Sequence, residues 1–155
     1  ASEPPDLELI SDALVHGAHR IGHGCRLRED GDLLHYVNDH RIALECCPSS
    51  NVQTGAVREL RRHPLKLYHD LGLRVTINTD NRLITDTSVS RELHLCHTQM
   101  GFDENDIHRV IINGFKAAFL PFHQKQTMVR AVSRELSSEA PAFEPLASHR
   151  ADVDA

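Results

Sequence analysis

The sequence contains no tryptophan and few other aromatics, two Tyr and five Phe in 155 residues. Binding sites that hold sugars by stacking need such rings, so a sugar-stacking platform is not expected. Cysteine is sparse too: four residues, two of them adjacent at Cys46-Cys47, with no CxxC spacing. That pattern argues against a disulfide framework and for reduced thiols in a cytoplasmic protein. No apolar run approaches the roughly 20 residues that cross a bilayer, so no membrane partner is expected. A net charge of -5 leaves no basic excess to attract nucleic acid. Twelve histidines are present, yet no HxH or HExxH spacing occurs. The chain opens on Ala1-Ser-Glu-Pro-Pro-Asp rather than Met, which reads as the middle of a loop and predicts a processed product or a piece of something longer.

What is present is a repeated pattern of short β-branched runs that end in polar residues. Val75-Thr-Ile-Asn-Thr-Asp80-Asn81 reads as a buried parallel strand delivering Asp80 to its C-terminal tip. Two earlier stretches have the same shape: Arg20-Ile-Gly-His23-Gly24, and Arg41-Ile-Ala-Leu-Glu45 running into Cys46-Cys-Pro-Ser-Ser-Asn51. Helical periodicity separates and follows them. Helices are predicted over 6–18, 31–38, 64–69, 87–99, 107–120 and 122–136. Pro48 predicts a surface loop over 47–55, and 81–86 reads as a second loop. Strands alternating with helices imply parallel βαβ units, hence an α/β protein. Three parallel strands make a narrow sheet, so residues 1–136 read as the last part of a barrel rather than a whole domain. From Ser137 onward Ser, Glu, Pro and Ala dominate, and 137–155 is expected to be disordered.

Taken alone, Asp80 is a metal ligand, a general base or a cap on the following loop. His23, framed by Gly22 and Gly24, is the stronger candidate, because small neighbours leave an imidazole open to a cleft. An imidazole and a carboxylate facing one pocket can bind zinc or handle the protons of a metal-activated water. A catalytic zinc usually takes three protein ligands, and this chain does not supply them by spacing. His16 and His19 lie in a helix and its turn. The remaining histidines, His63 and His69 among them, fall in helices, turns or the tail, where a solvated role is the default.

The residues nevertheless occur in a familiar order. Arg20-Ile-Gly-His23-Gly24, Glu45-Cys-Cys-Pro48-Ser-Ser-Asn51, His63-Pro64, Val75-Thr-Ile-Asn78-Thr79-Asp80 and Asn113-Gly-Phe-Lys-Ala-Ala-Phe119-Leu120 resemble, in sequence order and spacing, the adenosine deaminases. The resemblance runs from about residue 8 to 136. It implies a zinc-dependent (β/α)8 barrel converting adenosine to inosine and ammonia, of which this chain covers strands six to eight and the C-terminal helices. By the same resemblance Asp80 is the zinc-ligating aspartate of strand eight. His23 is the strand-six histidine that positions and deprotonates the zinc-bound water, and the loop after strand seven shapes the pocket without a catalytic step.

Two departures from the family pattern stand out. A second aspartate commonly follows the zinc-binding one and bonds purine N7; here that place is Asn81, whose neutral amide can donate to the N7 acceptor. The family's first-strand HxH pair and its fifth-strand His with the catalytic Glu are absent from these residues. The chain is therefore expected to act on adenosine only with the missing N-terminal part. A non-catalytic truncated or degenerate deaminase, and an adenine or AMP deaminase relative, are the other readings. Open strand edges predict marginal stability and self-association of the isolated chain.

Overall fold

The computed structural model describes residues 6–138. The chain order is α1 (Asp6–Val15), β1 (Arg20–Gly22), α2 (Gly31–Asp39), β2 (Ala43–Cys46), α3 (Pro48–Gln53), α4 (Leu65–Asp70), β3 (Arg74–Ile77), α5 (Arg82–Thr85), α6 (Val89–Met100), α7 (Glu104–Ala117) and α8 (Phe122–Ser138). Short 3₁₀ turns occupy Leu27–Glu29 and Leu60–Arg62. The strands form one parallel sheet in the order β1-β2-β3. The expected α/β alternation is therefore present. The disorder expected of 137–155 falls outside the described residues apart from Ser137 and Ser138, which continue α8.

Register explains how the sheet divides its two faces. Ile21 pairs with Leu44 and Leu44 with Val75, while Cys46 pairs with Ile77. In-register neighbours share a face, and these five residues are buried in one cluster with Ile10, Leu34, Val37, Leu65 and Tyr68 from the helices. The opposite face carries Arg20, Glu45 and Thr76. There Arg20 bridges to Glu45 at 3.1 Å and its guanidinium lies 3.7 Å over the Phe119 ring. Thr76 and Asn78 extend that polar face along β3, with Asn78 Nδ2 donating to Thr76 Oγ1 at 2.8 Å.

Helix ends follow local chemistry. Ser88 caps α6, accepting from the Arg91 amide, and Gly101 ends it with φ at +75°, a backbone state that costs glycine nothing. Asp103 and Asp106 form a reciprocal capping box at the start of α7. On α7, Asn113 Nδ2 donates to the Val75 carbonyl at 3.0 Å. The Asn78 amide donates to the Cys46 carbonyl of β2, so even-numbered residues of β3 point their backbone at β2 and Val75 points to the outer edge. That edge is thus partly capped by a side chain rather than left fully open.

Three expectations are corrected. Residues 47–55 are not a surface loop. Pro48 occupies the first turn of α3, where its missing N–H costs no bond, and Pro48, Ser50 and Asn51 are buried. Residues 82–85 form the short helix α5 rather than loop. His63 and His69 are buried rather than solvated. His69 Nε2 lies 3.6 Å from Asp106 Oδ1 and its ring packs 5.2 Å from Phe102.

Candidate active site

The C-terminal tips of the three strands gather the candidate residues at one end of the sheet. His23 follows β1 directly, and its amide donates to the Glu45 carbonyl at 2.9 Å, extending the ladder one residue past the strand. Cys46 Sγ reaches the His23 carbonyl at 3.8 Å. Asp80 lies three residues beyond β3. Both residues hold left-handed backbone, φ 62° at His23 and 56° at Asp80. This region costs a non-glycine residue about 1–2 kcal/mol and persists only where surrounding contacts hold it. Arg41 and Asp86 share the conformation, so strain alone does not single out a site. At His23 and Asp80 the side chains are held as well.

The element that holds them is α3. Ser50 Oγ donates to Asp80 Oδ2 at 2.7 Å, and the next residue, Asn51, meets His23 Nδ1 through Nδ2 at 2.9 Å. Adjacent residues of one short helix therefore position both candidates. Ser50 is 4% and Asn51 2% exposed, so these contacts are shielded from competing water. Asn51 is in turn pinned from behind: its Oδ1 lies 3.0 Å from His63 Nε2, and His63 Nδ1 accepts the Leu65 amide at 3.0 Å. Burial, reinforced by the Arg28 charge, pushes the His63 pKa down to about 4, so the ring is neutral near pH 7.

Glu92 anchors the start of α3 from α6. Fully buried, it accepts from the Ser49 amide at 3.0 Å and from Thr87 Oγ1 at 2.6 Å. A carboxylate against backbone N–H groups of a helix's first turn is well placed electrostatically. The segment after β1 has its own clamp. Tyr68 accepts from the Arg28 amide at 2.9 Å and its hydroxyl hydrogen is shared between the carbonyls of Gly24 and Cys25, at 3.0 and 3.2 Å. Burial holds the Tyr68 phenol well above its usual pKa, and it stays neutral.

Asn81 is exposed and caps α5, its Oδ1 accepting from the Leu83 and Ile84 amides at 3.1 and 3.3 Å. With the oxygen committed to the cap, Nδ2 is the end of the amide left to donate. Cys47, beside Asp80, is no nucleophile: burial first, then the Asp80, Glu92 and Glu45 charges, push its thiol up to about 12. The described residues hold His23 and Asp80 through adjacent residues of α3, Asn51 and Ser50. They also bring in Ser50 and Asn51, expected only to shape the pocket, and His63 and Glu92, to which sequence reasoning gave no site role.

Residues 1–135 match the adenosine deaminase family. The chain belongs to that family. An adenosine deaminase of Mycobacterium tuberculosis (strain H37Rv) is 40% identical over 161 residues, which cover 96% of this chain but 42% of the relative. The chain thus spans less than half the length of the curated relatives it matches. Among solved structures, an adenine deaminase from Arthrobacter aurescens aligns with 25% identity and a TM-score of 0.81, covering 88% of this chain and 42% of the other. An amidohydrolase from Burkholderia ambifaria, solved with bound Zn, shares the fold with 20% identity and a TM-score of 0.77, over 86% of this chain and 37% of its own.

The described residues do not fit a complete metal site. Among the described residues no group of three or more His, Cys, Asp or Glu gathers to hold an ion. Asp80, with one oxygen engaged by Ser50, can supply one ligand. Among the same residues no helix is long and apolar enough to cross a membrane.

Proposed function

We propose that this chain is the C-terminal part of a zinc-dependent adenosine deaminase, its three strands being the sixth to eighth of a (β/α)8 barrel. The observation that carries the reading is the paired arrest of His23 and Asp80 by neighbouring residues of α3. It joins a 40% identity to adenosine deaminases along nearly the whole chain. In this reading the metal supplies activation of water, and the remaining ligands and the proton donor come from the N-terminal part. Asp80 contributes a carboxylate ligand held by Ser50. His23 hydrogen-bonds the attacking oxygen. Asn81 donates from Nδ2 to purine N7 while its oxygen caps α5. The polar face of Arg20, Glu45 and Thr76 becomes the barrel interior.

The test combines zinc analysis with deamination assays on the chain alone and on the chain joined to the N-terminal part of a relative. Alone, it is expected to hold no stoichiometric zinc and to leave adenosine unchanged. Joined, it should release inosine and ammonia, and Asp80→Ala should abolish both zinc retention and turnover. Adenine, AMP and adenosine are offered side by side, because the adenine deaminase likeness makes adenine the informative competitor. Turnover with bound zinc by the isolated chain overturns the ligand assignment. A joined protein that binds zinc and deaminates no purine overturns the function.

A further inference from the structure

We propose that Asn51 and His63 are positioning residues that fix His23 as the Nε2–H tautomer. In the deaminase reading, on which this role rests, His23 then meets the attacking oxygen as a hydrogen-bond donor and not as the proton acceptor that the family resemblance implies.

One backbone group in this network has a role that is not open to choice. The Leu65 amide is a donor, and it points at His63 Nδ1 at 3.0 Å. Nδ1 must therefore be the unprotonated nitrogen. A neutral imidazole with a bare Nδ1 carries its hydrogen on Nε2, and His63 is 6% exposed and neutral near pH 7. His63 Nε2–H must then find an acceptor in Asn51, 3.0 Å away, which makes the facing atom the amide oxygen. The other end of that amide is NH₂. It lies 2.9 Å from His23 Nδ1, which can receive its hydrogen only as a bare nitrogen. The remaining ring nitrogen of His23, Nε2, carries the proton.

Each alternative puts two donors or two acceptors face to face. Turning the Asn51 amide would set NH₂ against His63 Nε2–H. Moving the His63 hydrogen to Nδ1 would set it against the Leu65 amide. Protonating His23 at Nδ1 would set that hydrogen against Asn51 NH₂. An unmade buried hydrogen bond disfavours each state by about tenfold or more. Second-partner orientation of an imidazole is a common way to choose its tautomer. Here the choice is transmitted from a main-chain amide at the start of α4 through two side chains. The sequence separations are 12 residues between His63 and Asn51 and 28 between Asn51 and His23.

The experiment is a long-range ¹H–¹⁵N correlation spectrum of the ¹⁵N-His-labelled chain near pH 7, which separates protonated from bare ring nitrogens. His23 and His63 are both expected to show bare Nδ1 and protonated Nε2. Asn51→Asp is the decisive variant because it is isosteric and replaces the donor by a second acceptor. It should move the His23 hydrogen to Nδ1 and leave His63 unchanged. A variant that altered only packing would not exchange the two nitrogens. A protonated Nδ1 on wild-type His23, read without any variant, overturns the proposal; so does a His23 tautomer that ignores Asn51→Asp. His63→Ala offers the same lever from the far end and should give a mixed His23 tautomer; an unchanged one overturns the relay. In the joined enzyme, Asn51→Asp should lower kcat tenfold or more with little change in KM. The expected tautomers in a joined protein without deaminase activity would sink the function and leave the relay standing. Activity with His23 protonated at Nδ1 would sink the relay alone.

Discussion

Glu92 gives the sharpest test of how α3 is held. Its carboxylate is fully buried and takes two donors, the Ser49 amide at 3.0 Å and the Thr87 hydroxyl at 2.6 Å. Hydrogen bonds to a charged group are worth about 1.5–3 kcal/mol each, and an orphaned buried donor costs about 1–3 kcal/mol. Glu92→Leu fills the site with an apolar side chain of similar length and removes both acceptors. The Thr87 hydroxyl can rotate towards another partner, whereas the Ser49 amide cannot. Removing the buried charge also returns part of its desolvation cost. The balance is a loss of about 2–4 kcal/mol. Glu92→Gln should behave differently. Its amide oxygen can accept from Ser49 while its NH₂ donates to Thr87 Oγ1, since a hydroxyl serves in either role. The expected loss is about 1 kcal/mol or less. Urea unfolding of the two variants and the wild type, read by circular dichroism, measures both numbers from the midpoints at constant slope. The His23 and Asn51 side-chain resonances should shift in Glu92→Leu and hold in Glu92→Gln. The reasoning is refuted if Glu92→Leu is within 1 kcal/mol of wild type, or if Gln costs as much as Leu.

Two further outcomes follow from buried polar groups. His63 ordinarily titrates at 6.5 and is held down to about 4 in the fold. The unfolded chain therefore takes up a proton that the folded chain refuses as pH falls between those values. Stability from this group is complete above pH 6.5 and declines by roughly 3 kcal/mol towards pH 4. His63→Gln should flatten that part of the stability–pH curve measured by urea unfolding, and equal slopes in both proteins would contradict it. Tyr68→Phe removes the group that accepts from the Arg28 amide and donates to the Gly24 and Cys25 carbonyls. It should cost about 1–3 kcal/mol and speed amide exchange at Arg28; unchanged exchange there would mean that Tyr68 does not clamp the turn after His23.

The features visible in the sequence were the local ones. Strand runs such as Val75-Thr-Ile show their burial by β-branching, and the helices by apolar spacing. Ser88, Gly101 and Asp103 mark helix ends by chemistry that acts within a turn. His23 and Asp80 stood out because they sit at strand tips beside small or polar residues. The misread stretches were those whose state depends on distant partners. Pro48 looks like a breaker from its neighbours alone, yet it opens a helix because Glu92, 43 residues from Ser49, receives that helix's amide. His63 looks like a surface histidine until the fold sets Asn51 over it. On α6 the buried positions are Glu92, Cys96 and Met100. The carboxylate goes inside because its two donors are already there.

By itself, then, the sequence determined the βα alternation and the two residues at the strand tips, since periodicity and strand-end chemistry are properties of a few consecutive residues; the family was legible in the resemblance of its ordered motifs. Only the tertiary structure decided how those two residues are held. Ser50 meets Asp80 from 30 residues away and Asn51 meets His23 from 28. A hydrogen bond selects its partners by distance and direction within about 3 Å, and no local pattern along the chain records which distant groups folding will bring that close.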